Sequence, residues 1–113
     1  LARLGPLIEN DPLFPARINV NVATITGPSS LTLRVWERGT GLTRACGTGA
    51  CATAVAASLT MRTGRESTIE LPGGALEISC RGNPSRRRFV DRLGTGRIDP
   101  DDRPRYACFH RLR

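Results

Sequence analysis

Lysine is absent from this sequence; all seventeen basic side chains are arginine. So complete a bias fits GC-rich coding DNA as well as a surface selected for nucleic acid, so the net charge of +7 does not by itself name a partner. Aromatic residues are scarce, at 4%, and a core must therefore come from Val, Ile, Leu and Ala. The same scarcity disfavours nucleic acid: only Phe89, Tyr106 and Phe109 stand near the later arginines, and they are scattered. No apolar run approaches the roughly 18 residues of a membrane-spanning helix. Residues 1–10 have neither the charged start nor the apolar stretch of a secretory leader. Histidine occurs once, at His110, and Cys46 and Cys51 are too far apart for a C-x-x-C pair, so no metal is expected. Without secretory signals, Cys46, Cys51, Cys80 and Cys108 read as thiols of a reducing, cytoplasmic compartment.

What is present fits one small domain with a modest core, at 113 residues. The chain opens on Leu rather than Met, which fits a fragment or a processed product. Charge is unevenly divided. Residues 1–78 hold seven Arg and six acidic residues, whereas 79–113 hold ten Arg and four acidic residues.

Residues 17–26 alternate, with Ile18, Val20 and Val22 on one side and Asn19 and Asn21 on the other, as a strand requires. Residues 31–36 alternate again after the turn at Gly27-Pro28, and the two predict a hairpin. The lead-in to residue 16 reads as irregular, and 37–45 as a loop. Residues 49–62 are rich in Ala, lack Pro and predict a helix that stops at Thr63-Gly64. Strands are expected at 68–71 and 75–80, joined at Pro72-Gly73-Gly74. Beyond residue 80 no period holds. Residues 81–113 read as a loop or disordered tail on composition.

The chemistry is concentrated in residues 37–52, ERGTGLTRACGTGACA. Cys46 stands before a Gly-Thr-Gly turn that opens the Ala-rich helix. The first N–H groups of a helix lack intrahelical partners and carry the positive end of its dipole. Gly47, Thr48 and Gly49 can therefore cradle a carboxylate, and the same field favours a thiolate at Cys46. Cys51, among alanines, reads as small apolar packing.

This stretch, E-R-G-x-G-x-T-x-A-C-G-T-G-A, resembles the second cysteine motif of diaminopimelate epimerases. Leu4-Gly5-Pro6, Glu9 and Pro12-Leu13-Phe14-Pro15 resemble that family's entry to its C-terminal domain. Ile18-Asn19-Val20 and Leu71-Pro72-Gly73-Gly74 with Leu76-Glu77-Ile78 follow in the family's order. The resemblance covers residues 4–78 and implies an α+β fold: half of a pseudo-symmetric protein, with strands wrapped around a central helix.

The resemblance also implies a cofactor-independent reaction converting LL- to meso-diaminopimelate, in which two cysteines face opposite sides of the substrate α-carbon. Cys46 would be one acid/base. Gly47 and Thr48 would donate N–H groups to the α-carboxylate, and Asn19 would hydrogen-bond the substrate. Arg38 would pair with the distal carboxylate, and Glu37 would meet the distal ammonium or help place the thiol's proton partner. The expected partners are the amino-acid substrate and the missing N-terminal half with its own cysteine; a homodimer is also open. The chain alone is expected to be inactive. The tail at 79–113 departs from the family, which points to a reading-frame shift or unrelated sequence. Two rivals stand beside this reading. One is a proline racemase-like fragment, though the Glu37-Arg38-Gly39 lead-in favours diaminopimelate. The other is a non-catalytic remnant whose basic tail binds polyanions.

Overall fold

A computed structural model of the chain describes residues 1–81 and 107–112. Among these residues, two helices and six strands follow in order: α1 (Leu4–Glu9), β1 (Val20–Gly27), β2 (Ser30–Glu37), β3 (Gly41–Thr43), α2 (Gly47–Leu59), β4 (Glu66–Leu71), β5 (Gly74–Arg81) and β6 (Ala107–Leu112). The strands form one sheet in the order β1-β2-β4-β5-β6, with β3 beside β2. β1 and β2 pair as the predicted antiparallel hairpin, and β4 and β5 as a second. β2 and β4 run parallel. A parallel pair needs a crossover connection, and α2 lies within it. The fold class is α+β.

Alternation builds the core. Leu31, Leu33 and Val35 of β2 point to the covered face and are at most 1% exposed. Ile69 and Leu71 of β4, and Leu76, Ile78 and Cys80 of β5, continue that face. Cys46, Ala50, Ala54 and Ala57, three or four residues apart and so on one side of α2, complete the cluster. Small side chains let the helix backbone approach the sheet closely, which substitutes for the missing aromatics. Each fully buried Leu or Ile contributes about 1.5–3 kcal/mol, so β2 and β4 anchor the domain.

β1 is different. Its residues Asn21–Thr26 are exposed, Val22 among them. The apolar side read from Ile18, Val20 and Val22 is thus mostly uncovered by the described residues, because it lies on the face of the sheet opposite α2: Val22 pairs with Arg34, whereas Asn21 pairs with the buried Val35 and bonds to α2.

The structure corrects three expectations. The lead-in is not wholly irregular: α1 forms at Leu4–Glu9, where Pro6 sits in the first turn and needs no N–H partner. Gly5 lies against Trp36, whose ring carbons stand 2.5 Å from where a Cβ would be. Within the expected loop at 37–45, β3 pairs Gly41 with Glu37 and Thr43 with Val35. Finally, β5 runs on to Arg81, and Ala107–Leu112 is strand, paired antiparallel with it from Leu76↔Leu112 to Arg81↔Ala107. The unpaired edge of β5 offers a backbone ladder to which a short segment without sustained periodicity can still add. The rest of the expected tail, 82–106 and 113, lies outside the described residues, and with it most of the stretch read as disordered or frame-shifted.

Candidate active site

The thiol end of the site is built by β3 and α2. After β3 the chain passes through Arg44 and Ala45 to Cys46, the N-cap of α2, in an extended conformation. The turn between β4 and β5 props this approach, since Gly73 N–H donates to the Arg44 carbonyl at 2.7 Å. Cys46 Sγ takes the place of the usual capping oxygen and accepts from Gly49 N–H at 3.3 Å. Thr48 Oγ1 stands 3.5 Å from the same sulfur. The Gly49 donor is thus used by the thiol, whereas the Gly47 and Thr48 N–H groups belong to the first turn, where no intrahelical acceptor exists. A buried sulfur beside two such donors can share a small anionic substrate with them.

Gly49 is held at both ends. Its carbonyl accepts from Asn21 Nδ2 at 3.1 Å and from Thr53 Oγ1 at 2.8 Å. Asn21 Nδ2 also reaches Thr53 Oγ1, at 3.3 Å. A Cβ on Gly49 would stand 3.1 Å from Cys46 Sγ and 3.3 Å from Asn21 Oδ1, so glycine is what lets thiol and carboxamide share this corner.

The other end is built where β1 begins and β2 ends. Val20 pairs with Trp36, which places Asn19 beside the turn that follows. Asn19 Oδ1 accepts from Arg38 N–H at 2.8 Å, and Arg38 Nη1 donates to the Ala16 carbonyl at 2.8 Å. Glu37 Oε1 accepts from Thr43 Oγ1 at 2.9 Å, so this carboxylate braces β3 against β2.

Behind the turn lies Glu9, only 5% exposed. It accepts from Trp36 Nε1 at 2.7 Å, from Gly39 N–H at 2.8 Å and from Arg17 Nη1 at 3.2 Å. The Trp36 bond, the Gly39 bond and the nearby Arg17 and Arg38 charges hold its carboxyl below the usual range, against the opposing effect of burial.

The six residues singled out from sequence therefore fall into two groups. Cys46, Gly47 and Thr48 share the start of α2; Asn19, Glu37 and Arg38 share the β2–β3 corner. Among the described residues no side-chain hydrogen bond joins the groups directly; Asn21, two residues beyond Asn19, ties β1 to α2. Sequence reading missed Asn21 as a site residue, although period two already put it on the face of Asn19. It also missed Glu9, whose partners are brought together only by tertiary structure.

Comparison with known proteins gives this geometry its context. The family model described as diaminopimelate epimerase matches residues 1–103. The chain belongs to the diaminopimelate epimerase family. A diaminopimelate epimerase of Erythrobacter litoralis is 64% identical over 78 residues, covering 69% of this chain and 29% of the relative. Another, from a Chelativorans species, is 48% identical over 107 residues and covers 88% of this chain and 35% of the relative. A third, from Brucella anthropi, is 54% identical over 81 residues, 72% of this chain and 27% of the relative. The chain thus spans about a third of the length of the family members it matches. The family match runs past residue 78, where resemblance by motif stopped.

Proposed function

We propose that this chain supplies half of an amino-acid epimerase site, acting on diaminopimelate with Cys46 as one of two thiol acid/bases. The observation that carries the reading is the capping geometry: Cys46 Sγ receives Gly49 N–H at 3.3 Å at the mouth of α2. The substrate α-carboxylate would sit on the Gly47 and Thr48 N–H groups, which places its α-carbon beside the sulfur. A thiolate there takes the α-proton, leaving the electron pair on carbon, stabilised by the helix start. A second thiol on the opposite face returns a proton and inverts the centre. That second thiol, from the rest of the protein, is the partner this half requires. Arg38 would meet the distal carboxylate, Asn19 Nδ2 would add a donor, and Glu37 would lie near the distal ammonium. The chemistry asks for no cofactor, and it suits a reducing, cytoplasmic setting because the base must stay unoxidised.

The test is complementation. The 113-residue chain is mixed with the upstream half of the Erythrobacter litoralis relative, and LL-diaminopimelate is followed in deuterium oxide. Neither half alone is expected to epimerise. Together they should incorporate deuterium at one α-carbon and form the meso isomer, and Cys46→Ala should lower the rate by about 10²–10⁴-fold. Undiminished turnover with Cys46→Ala, or turnover by the chain alone, would overturn the reading.

A further inference from the structure

Outside the thiol corner, the most heavily bonded side chain in the described residues with a role still unassigned is Glu9. It lies at the last residue of α1, buried, and its hydrogen bonds go to Arg17, Trp36 and Gly39 rather than to Cys46. Its three donors come from three separate places: the indole of Trp36 in β2, the backbone of Gly39 in the turn, and Arg17 ahead of β1. A buried carboxylate needs such donors to offset its lost hydration. What matters is where the donors lie. Trp36, Glu37, Arg38 and Gly39 are consecutive, so Glu9 grips the chain on both sides of Glu37 and Arg38. The Arg38 N–H between those grips goes to Asn19. Its side chain is led back to Ala16, next to Arg17.

Two left-handed backbone conformations fit this arrangement. Arg17 adopts φ 57, a left-handed conformation that a non-glycine residue adopts only when its surroundings enforce it. That bend returns its guanidinium to Glu9 while the chain goes on to Asn19. Gly39 adopts φ 76, so the turn closes with its N–H facing the carboxylate. Gly5, pressed against Trp36, brings α1 close enough for Glu9 to reach.

We infer that Glu9 is a positioning residue whose carboxylate fixes the 36–39 turn and thereby aims Arg38 at the far end of the substrate. The inference rests on the proposed function only for the identity of what Arg38 meets. Glu9 touches no substrate; it acts through the backbone of Gly39 and the ring of Trp36. Glu9→Asp, one methylene shorter, should restore part of the effect, whereas Glu9→Gln keeps the volume but loses the charge.

Amide exchange and chemical shifts of the isotope-labelled 113-residue chain test this. In Glu9→Gln and Glu9→Ala, the Gly39 and Arg38 amides should exchange roughly tenfold faster or more, while those of Leu33 and Ile69 stay protected. In the wild type the Gly39 amide shift should follow acid titration of a single carboxyl, and in Glu9→Gln that titration should vanish. Should Glu9→Ala fail to fold, Glu9→Gln and the titration still decide. Unchanged Gly39 and Arg38 exchange in Glu9→Gln, or a Gly39 titration that survives the substitution, would overturn the inference. Adding diaminopimelate separates the two claims. Perturbation of Arg38 in the wild type that weakens about tenfold in Glu9→Gln supports both. Freed amides with no response of Arg38 to diaminopimelate would leave the positioning role standing and count against the substrate reading.

Discussion

At the scale of single residues, the site depends on a few atoms held in two or more directions. Gly49 gives its N–H to Cys46 and its carbonyl to Asn21 and Thr53. Asn21→Ala should therefore loosen the start of α2 at a cost of about 1 kcal/mol, the usual worth of a part-buried hydrogen bond. Denaturant unfolding would register that loss, and complemented epimerisation should fall with it, since misplacement of the sulfur is not repaired elsewhere. Glu9 sets a pH dependence. Its carboxyl is shifted downward, chiefly by Trp36 and Gly39, so the folded chain binds its proton less readily than the unfolded chain. The stabilisation is fully present above the unfolded-state value, about 4.3. It is lost as pH falls through the lower folded-state value. Trp36, the one tryptophan, reports this directly. Its emission should hold steady from neutrality to about pH 5 and shift on further acidification, a change absent in Glu9→Gln. Of these residues, the place of Cys46 at a helix start was legible in advance, because a Gly-Thr-Gly turn before an Ala-rich run has a local physical meaning. Glu9 was not, because its donors lie eight, 27 and 30 positions away, and no short pattern encodes their meeting.

At the scale of elements, the hairpins and α2 were readable because each carries its own periodicity. Leu31, Leu33 and Val35 alternate toward a covered face, and the alanines of α2 recur with helical spacing. β3 was not readable: at three residues, Gly41–Thr43 has no period to detect and exists because β2 offers it an edge. β6 follows the same logic at β5. The close approach of α2 predicts an asymmetry in what substitutions cost. Ala54→Leu would force a branched side chain between helix and sheet, where Ala54 is 1% exposed, and should destabilise by about 1–3 kcal/mol. Leu33→Ala opens a cavity instead and should cost about 2–5 kcal/mol. Thermal unfolding of the two variants, side by side, checks both magnitudes. Val22→Thr, on the uncovered strand, should leave the same transition within about 0.5 kcal/mol.

At the scale of the whole molecule, one feature governs how the two ends of the site relate. Asn19 and Asn21 lie two residues apart, the first just before β1 and the second within it. The first is bonded to the corner that carries Arg38, the second to the helix that carries Cys46. Two residues of extended chain advance about 6.6 Å, and β1 begins at Val20, between the two tethers. The segment from Asn19 to Asn21 thus works as a ruler. In the proposed site it would space Arg38 at one end of the substrate from the thiol at the other, and its graduations are peptide units rather than side-chain rotamers. Lengthening it by one residue would turn one asparagine to the opposite side and disconnect an end altogether. Under the proposed function, the length of molecule the site accepts would therefore be hard to adjust gradually: changes there come in whole steps, and a single step breaks the gauge.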